Sequence, residues 1–365
     1  MAFSAGLRRK NNSFAQVYVV DYFITSPKFF MVTVGIIGYG YWGPNLVRNF
    51  FAQKNCKVKA VADSRQNRLD VLSKSYPSIN PVKDAEDILN DPEIDAVIIA
   101  TPVFTHYQLA QKALENNKHV LLEKPMASSV EQCEHLIEIA LQKKLVLMVD
   151  HTFLYTGAVE KIKDFIDSDY LGNIKYLDST RINLGLFQPD INVLWDLAPH
   201  DLSILRYLHE EKPYSINATG ISHTDNGIEN IAFLTINYPS GFISHINCSW
   251  SSPVKVRSML IGGDKRMIVY NDVEPTEKIK VYDTNYQHST DEEKKQILVD
   301  YRVGDIYVPK VENKEALASI ANDFIDSIIN QTTPRSSSAI GMDIVKILEA
   351  SGKSIKNRGA EVILN

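Results

Sequence analysis

A glycine-spaced turn between an apolar strand and a helix constrains this chain more than any other stretch. Val32 to Ile37 is a short run rich in β-branched residues, the pattern of a strand covered on both faces. It leads into Gly38-Tyr39-Gly40-Tyr41-Trp42-Gly43, after which Pro44 to Gln53 places Leu46, Val47, Phe50 and Phe51 at helical spacing. Each glycine has a physical task in such a turn. Gly38 permits the tight bend, Gly40 leaves the backbone open to a diphosphate, and Gly43 lets the helix close on the strand. Pro44 suits a first helical turn, where a missing N–H costs nothing. The helix N-terminus then presents unpaired N–H groups to phosphate. The next strand, Lys57 to Ala62, ends at Asp63, twenty residues past Gly43, where a carboxylate can hold the ribose hydroxyls of an adenosine. Together these features predict a dinucleotide site. A carboxylate at 63 repels a 2′-phosphate, which favours NAD; Arg65 beside it keeps NADP as the less favoured alternative. Tyr41 and Trp42 fit the cleft wall, or equally well packing against the helix.

The alternation of strands and helices continues. Helical patterns at Arg65–Ser75, Ala85–Leu89, His106–Asn116 and Val130–Lys143 separate strands at Ala96–Ala100, His119–Leu122 and Val146–Val149. This predicts an α/β fold with a doubly wound parallel sheet, whose ligands lie beyond the carboxyl ends of the strands. Three segments fall at such ends: Thr101-Pro102 with His106, Glu123-Lys124-Pro125, and Asp150-His151.

At 365 residues the chain exceeds what one core usually serves, so two domains are expected, 31–151 for the dinucleotide and 152–365 for substrate and self-association. From Ile174 onward come the strand-like runs Ile174–Thr180, Ile231–Tyr238, Phe242–Trp250, Val256–Gly262 and Arg266–Tyr270. Turns at Pro239-Ser240-Gly241 and Gly262-Gly263-Asp264 predict a large, mainly antiparallel open sheet. Helical patterns at Lys314–Asn330 and Ala339–Asn357 close the chain, and Asp283–Lys295 reads as a polar loop. Residues 1–30 read as a poorly ordered extension, with Met31 the start of the folded chain. Gln16 and Asp21 interrupt the apolar run that a secretory signal would need.

Thirty-nine Lys and Arg against 44 Asp and Glu argue against a nucleic-acid surface. Cys56, Cys133 and Cys248 are far apart and show no paired spacing, which points to a reducing, cytoplasmic setting. The nine histidines do not cluster with Cys or Asp at ligand spacing, so no metal is expected. No run approaches the roughly 20 apolar residues of a membrane span.

Asp196 and His200 stand four residues apart, on one face if the segment is helical. A carboxylate there can orient an imidazole, which then serves as a general base. An ordinary helix cap with a satisfied histidine fits the same spacing, and Pro199 suggests that the helix begins near that residue. Arg181, Asn183, Gln188 and Asn192 form a polar series ahead of them, either substrate-facing or on a solvated strand face. Lys124, by position alone, is a lysine capping a strand end.

The motifs Gly38–Gly43, Ala100-Thr101-Pro102 with His106, and Glu123-Lys124-Pro125 together resemble those of the Gfo/Idh/MocA oxidoreductases, over about residues 31–365. His151-Thr152-Phe153-Leu154-Tyr155, Arg181-Ile182-Asn183-Leu184-Gly185 and Trp195 to Asp201 are similar to the branch acting on nucleotide sugars, including UDP-N-acetylglucosamine 3-dehydrogenases and their glucuronate relatives. The resemblance implies a C-terminal α/β domain whose open sheet forms the interface of a homodimer or homotetramer. It implies that Lys124 stabilises the reacting oxygen, with a cis bond before Pro125, and that His200 is the base or proton relay with Asp196 orienting it. Gly38 to Gly43, Asp63, Thr101, Pro102, His106, Glu123 and Lys124 would hold the cofactor. Lys124, Arg181, Asn183, Gln188, Asn192 and His200 would face the sugar or its phosphates. The activity implied is oxidation at C-3 of a UDP-linked N-acetylated hexose, or its uronic acid, to a keto sugar. Oxidation of a free polyol such as an inositol, reduction of a keto sugar, and non-catalytic dinucleotide sensing are the alternatives.

Overall fold

The computed structural model describes residues 31–185, 187–287, 300–302 and 304–364. The expected extension, 1–30, lies outside the described residues.

Six strands form the first sheet: β1 (Val32–Ile37), β2 (Cys56–Ala62), β3 (Asn80–Val82), β4 (Ala96–Ile99), β5 (His119–Glu123) and β6 (Leu147–Asp150). Their order is β3-β2-β1-β4-β5-β6 and every pair is parallel. Chain order reverses between β1 and β4, the switch point where such sheets take ligands. The crossovers are α1 (Gly43–Phe51), α2 (Gln66–Ser75), α3 (Glu86–Leu89), α4 (Val103–Glu115) and α5 (Val130–Lys143). Ile37, Val97, Ile99, Val120 and Leu122 bury one face under α3, α4 and α5. Val34, Ile36, Ile98 and Leu121 bury the other. That second face is closed partly by the late helix Ala316–Asn330, whose Phe324 meets Phe50 of α1 edge-on at 6.2 Å. The chain thus returns to its first sheet after building its second.

Past a short 3-10 turn, Thr152–Tyr155, come α6 (Gly157–Asp167), β7 (Ile174–Leu184), α7 (Val193–Leu208), β8 (Ser215–Ile221), β9 (Ile231–Asn237), β10 (Ile243–Ser249), β11 (Ser251–Gly263), β12 (Met267–Asn271) and β13 (Ile279–Tyr282). The second sheet runs Ile306–Tyr307, β13, β12, β11, β7, β10, β9, β8, Val362–Ile363. The hairpins at Pro239–Gly241 and Gly262–Asp264 form as the sequence predicts. The sheet is mixed, because β7 inserts between β10 and β11 and runs parallel to β10. Its inner face packs on α6, α7 and the helix Ser338–Lys356. Within the expected polar loop, Asn285–Gln287 forms a strand with Asp300–Arg302; residues 288–299 lie outside the described residues. No helix among the described residues is long and apolar enough to cross a membrane.

One boundary differs in a way that shapes the site. Helix α7 begins at Val193, not near Pro199, because Asn192 caps it: its Oδ1 accepts from the Trp195 N–H at 3.2 Å. Pro199 therefore sits inside the helix and supplies no N–H to the Trp195 carbonyl.

Candidate active site

The glycine turn separates two demands. Gly38 has φ of +100°, and a Cβ there would lie 2.4 Å from the Ala100 carbonyl oxygen. A Cβ on Gly43 would lie 2.3 Å from the Gly38 carbonyl oxygen. Packing of the chain on itself excludes side chains at both. At Gly40 a Cβ would meet only Arg65 Nη2, at 3.5 Å. The protein leaves room there that a dinucleotide diphosphate fits, at the N-terminus of α1. Tyr39 is buried, whereas Tyr41 and Trp42 are 85% and 41% exposed and meet edge-on at 5.4 Å, so neither packs into the helix.

Asp63 closes the first half of the rim with both oxygens engaged. Oδ1 accepts from the Arg65 N–H and Nε, each at 2.9 Å; Oδ2 accepts from the Tyr39 N–H and Arg65 Nη2, each at 2.8 Å. Burial alone would raise its pKa, but the bonds from Arg65 and Tyr39 hold it down to about 2. Asp63 therefore stays an anion. Arg65, half exposed, covers it where ribose hydroxyls would bind.

Thr101 and Pro102 lie at the end of β4, where Pro102 precedes α4 and Thr101 Oγ1 bonds Thr105 Oγ1 at 2.6 Å. His106 is buried, and its ring is spent on two backbone carbonyls, Pro125 at 2.9 Å and Thr101 at 2.9 Å. It straps the β4 and β5 ends together and offers no free nitrogen to a cofactor, against expectation. The Lys124–Pro125 bond is cis, as the resemblance implies.

Lys124 reaches across to α7. Its Nζ donates to the Asp196 carbonyl at 2.7 Å and lies 3.4 Å from Asp196 Oδ1. Trp250 Nε1 donates to Asp196 Oδ2 at 3.1 Å. The carboxylate is thus taken by Lys124 and Trp250, and the predicted pairing of Asp196 with His200 does not form. His200 Nδ1 is buried without a hydrogen-bond partner. Its ring meets Phe153 edge-on at 5.1 Å. Burial, then the charges of Lys124, Arg181 and Arg257, hold its pKa well below the usual imidazole range, so it is neutral.

Two of the substrate candidates are committed elsewhere. Arg181 is buried, its Nε and Nη2 donating to Asp201 at 2.7 and 3.0 Å, with its guanidinium 4.7 Å over the Phe153 ring. Nε and Nη2 are thus committed to Asp201, while Nη1 is buried without a hydrogen-bond partner. Asn192 caps α7 and donates from Nδ2 to Glu229. Asn183 and Gln188 are half-buried.

Trp250 and Arg257 escape the sequence reading, and the pairing of Glu123 with Asp150 is seen only in the fold. Trp250 holds Asp196 and stacks on Phe187 at 5.6 Å. Arg257 pairs in register with Arg181 across β11 and β7, and its charge acts on His200. Glu123 and Asp150 end adjacent strands at directly paired positions, where each carboxyl acts on the other's protonation. His151 follows, buried, both ring nitrogens unpartnered and its pKa driven down to about 3 by burial and then Lys124. The sequence places Glu123, Asp150 and His151 at strand ends, but strand pairing alone brings the two carboxyls, and the two arginines, side by side.

Comparison with known proteins places this geometry. Residues 32–151 match the family model described as an oxidoreductase family with an NAD-binding Rossmann fold, and residues 159–269 match the GFO/IDH/MocA C-terminal domain. A UDP-N-acetylglucosamine 3-dehydrogenase from Acidithiobacillus ferrooxidans is 29% identical over 59% of this chain and 66% of its own length. A myo-inositol 2-dehydrogenase from Thermotoga maritima is 22% identical over 70% of this chain and 76% of its own. The matched stretch thus spans about two thirds to three quarters of these two relatives. Among solved structures, an aldose-aldose oxidoreductase from Caulobacter crescentus superposes with a TM-score of 0.77 at 18% identity, covering 92% of this chain and all of that one. The chain therefore belongs to the Gfo/Idh/MocA oxidoreductases, with their NAD-binding Rossmann domain followed by their C-terminal domain.

Proposed function

We propose that this oxidoreductase oxidises a secondary hydroxyl of a sugar to a ketone, and that its substrate is a UDP-linked N-acetylated hexose, or the uronic acid of one, attacked at C-3. The observation that carries the reaction class is the Lys124 ammonium, fixed 2.7 Å from the Asp196 carbonyl beside a neutral His200. NAD, when bound, supplies the hydride acceptor. The chain's own residues do the rest. Lys124 donates a hydrogen bond to the reacting oxygen and stabilises the charge that grows there. His200, neutral, takes the hydroxyl proton. Asp196 positions Lys124 rather than His200, and Trp250 positions Asp196. Asn183 and Gln188 are the polar groups left to meet the sugar.

The nucleotide-sugar reading rests on the motif series from His151 to Asp201 and on the named activity of the 29% identical relative. The inositol dehydrogenase among the relatives supports a polyol as the second reading. Calorimetric titration of the NAD-loaded protein separates them. Binding of UDP-N-acetylglucosamine far tighter than of free N-acetylglucosamine or myo-inositol is expected; the reverse order would replace the first reading with the second.

A homo-oligomer assembled through the outer face of the second sheet belongs to the same reading. Register places Leu260, Asp178, His245 and Thr235 in one row across β11, β7, β10 and β9. Phe233 and Ile243, two residues from that row, share its face. Phe233, Ile243 and Leu260 are 44%, 44% and 40% exposed, an apolar patch that a second copy would cover.

A further inference from the structure

Glu123 and Asp150 end β5 and β6 at directly paired positions, on the half of the rim opposite Asp63. Asp150 is 2% exposed. Its Oδ1 accepts from Thr152 Oγ1 at 2.6 Å, and Oδ2 is buried with no N–H or alcohol donor. The group in reach is the carboxyl of Glu123, and two carboxyls can hydrogen-bond only when one keeps a proton. The pair therefore holds one proton and one negative charge. Burial, then the charge of Asp150, raises Glu123 well above the carboxylate range; burial raises Asp150 to about 6, against the lowering effect of Thr152, Lys124 and Glu123.

The two mononucleotide halves of such a sheet divide the dinucleotide between them. Asp63 at the end of β2 marks the adenosine half, so β4 to β6 serve the nicotinamide half. The oxidised nicotinamide ring carries a positive charge and the reduced ring none. A buried negative charge in that half therefore distinguishes the two forms. We propose that Asp150, through the proton it shares with Glu123, sets this site's preference for oxidised over reduced NAD. The inference rests on the cofactor assignment and not on the identity of the sugar. At the acid end of the range, where the pair keeps both protons, binding of NAD+ releases one of them to solvent and leaves the other between the carboxyls; binding of NADH releases none.

The other charged and titratable groups around the pair are accounted for. Lys124, next to Glu123, is held by Asp196 of α7. His106 of α4 is bound to two carbonyls. His151 and His200 are held neutral. Arg181 pairs with Asp201, and Asp343, on the helix packed against β6, pairs with Arg206.

The test is the dissociation constant of NAD+ and of NADH, each measured by fluorescence from pH 5 to pH 8, without any sugar. In the unsubstituted protein the preference for NAD+ should grow by about tenfold as pH rises through the window and the pair gains its negative charge. Asp150→Asn should flatten that dependence, whereas Glu123→Gln, which leaves Asp150 free to titrate, should keep it and move it to higher pH. Thr152→Val keeps both acids but removes a donor to Asp150, so the dependence should persist and move to higher pH; this variant decides the matter if either acid substitution fails to fold. A preference that does not change with pH, or full dependence in Asp150→Asn, would overturn the proposal while leaving the cofactor assignment intact. Failure of both forms to bind at every pH would overturn both.

Discussion

Asp196 gives its carboxylate to Lys124 at 3.4 Å and to Trp250 at 3.1 Å, and gives nothing to His200, one helical turn further on. The acid therefore serves the lysine. Lys124→Ala should lower kcat by about 10²–10⁴-fold while NAD binding stays nearly intact. Asp196→Asn should act on the same step, so the double variant should lose little more than Lys124→Ala alone. Additive losses would show that the two residues work independently.

The acid limb of kcat/KM reports the base. The His200 pKa is depressed, so it stays neutral, and able to accept a proton, as pH falls through the ordinary imidazole value of about 6.5. Activity should persist at that pH and fall only below it, the limb surviving in Asp150→Asn. A limb at or above the ordinary value would contradict His200 as the base.

Gly38 and Gly40 should fail in different ways. Gly38→Ala meets both a positive φ and the Ala100 carbonyl, so it should lower stability by roughly 1–3 kcal/mol. Gly40→Ala has room in the chain itself and should leave Tm nearly unchanged while weakening NAD binding strongly. Equal losses of Tm in the two variants would show that Gly40 serves the fold.

Arg65 and Asp63 together set the choice at the ribose. Asp63, held at about 2, is ionised at every working pH. Asp63→Ala should raise NADP affinity relative to NAD, because the repelling charge goes and Arg65 is freed for a phosphate. Unchanged relative affinities would remove Asp63 from that role.

The exposed Phe233 and Leu260 on the outer face of the second sheet predict a mass change. Phe233→Glu combined with Leu260→Glu should convert the oligomer to a monomer in sedimentation, with the fold retained by circular dichroism. A monomeric unsubstituted protein would exclude the interface outright.

The parts of this molecule legible in its sequence are those built from local pattern. The turn Gly38–Gly43, the apolar strands β1, β2, β4, β5 and β6, and the two hairpins of the second sheet follow from periodicity and turn chemistry alone. What escaped depends on contacts distant in sequence. Ser215–Ile221 mixes polar and small residues and becomes a strand only beside β9. The insertion of β7 beside β10 has no local signature. In the site, Lys124 and Asp196 are joined across 72 positions, and Glu123 faces Asp150 only through strand register. Arg181 and Asn192 show that a polar residue near a site also serves the fold: one pairs with Asp201, the other caps α7.

The central claim is tested most directly by following the NADH absorbance band with purified protein, NAD and a panel of UDP-sugars beside free sugars and inositols. The account predicts NADH formation with a UDP-N-acetylated hexose or its uronic acid, abolished in Lys124→Ala. NADH formation with a free polyol alone, or none with any substrate from a protein that binds NAD and carries no NADH from purification, would contradict it.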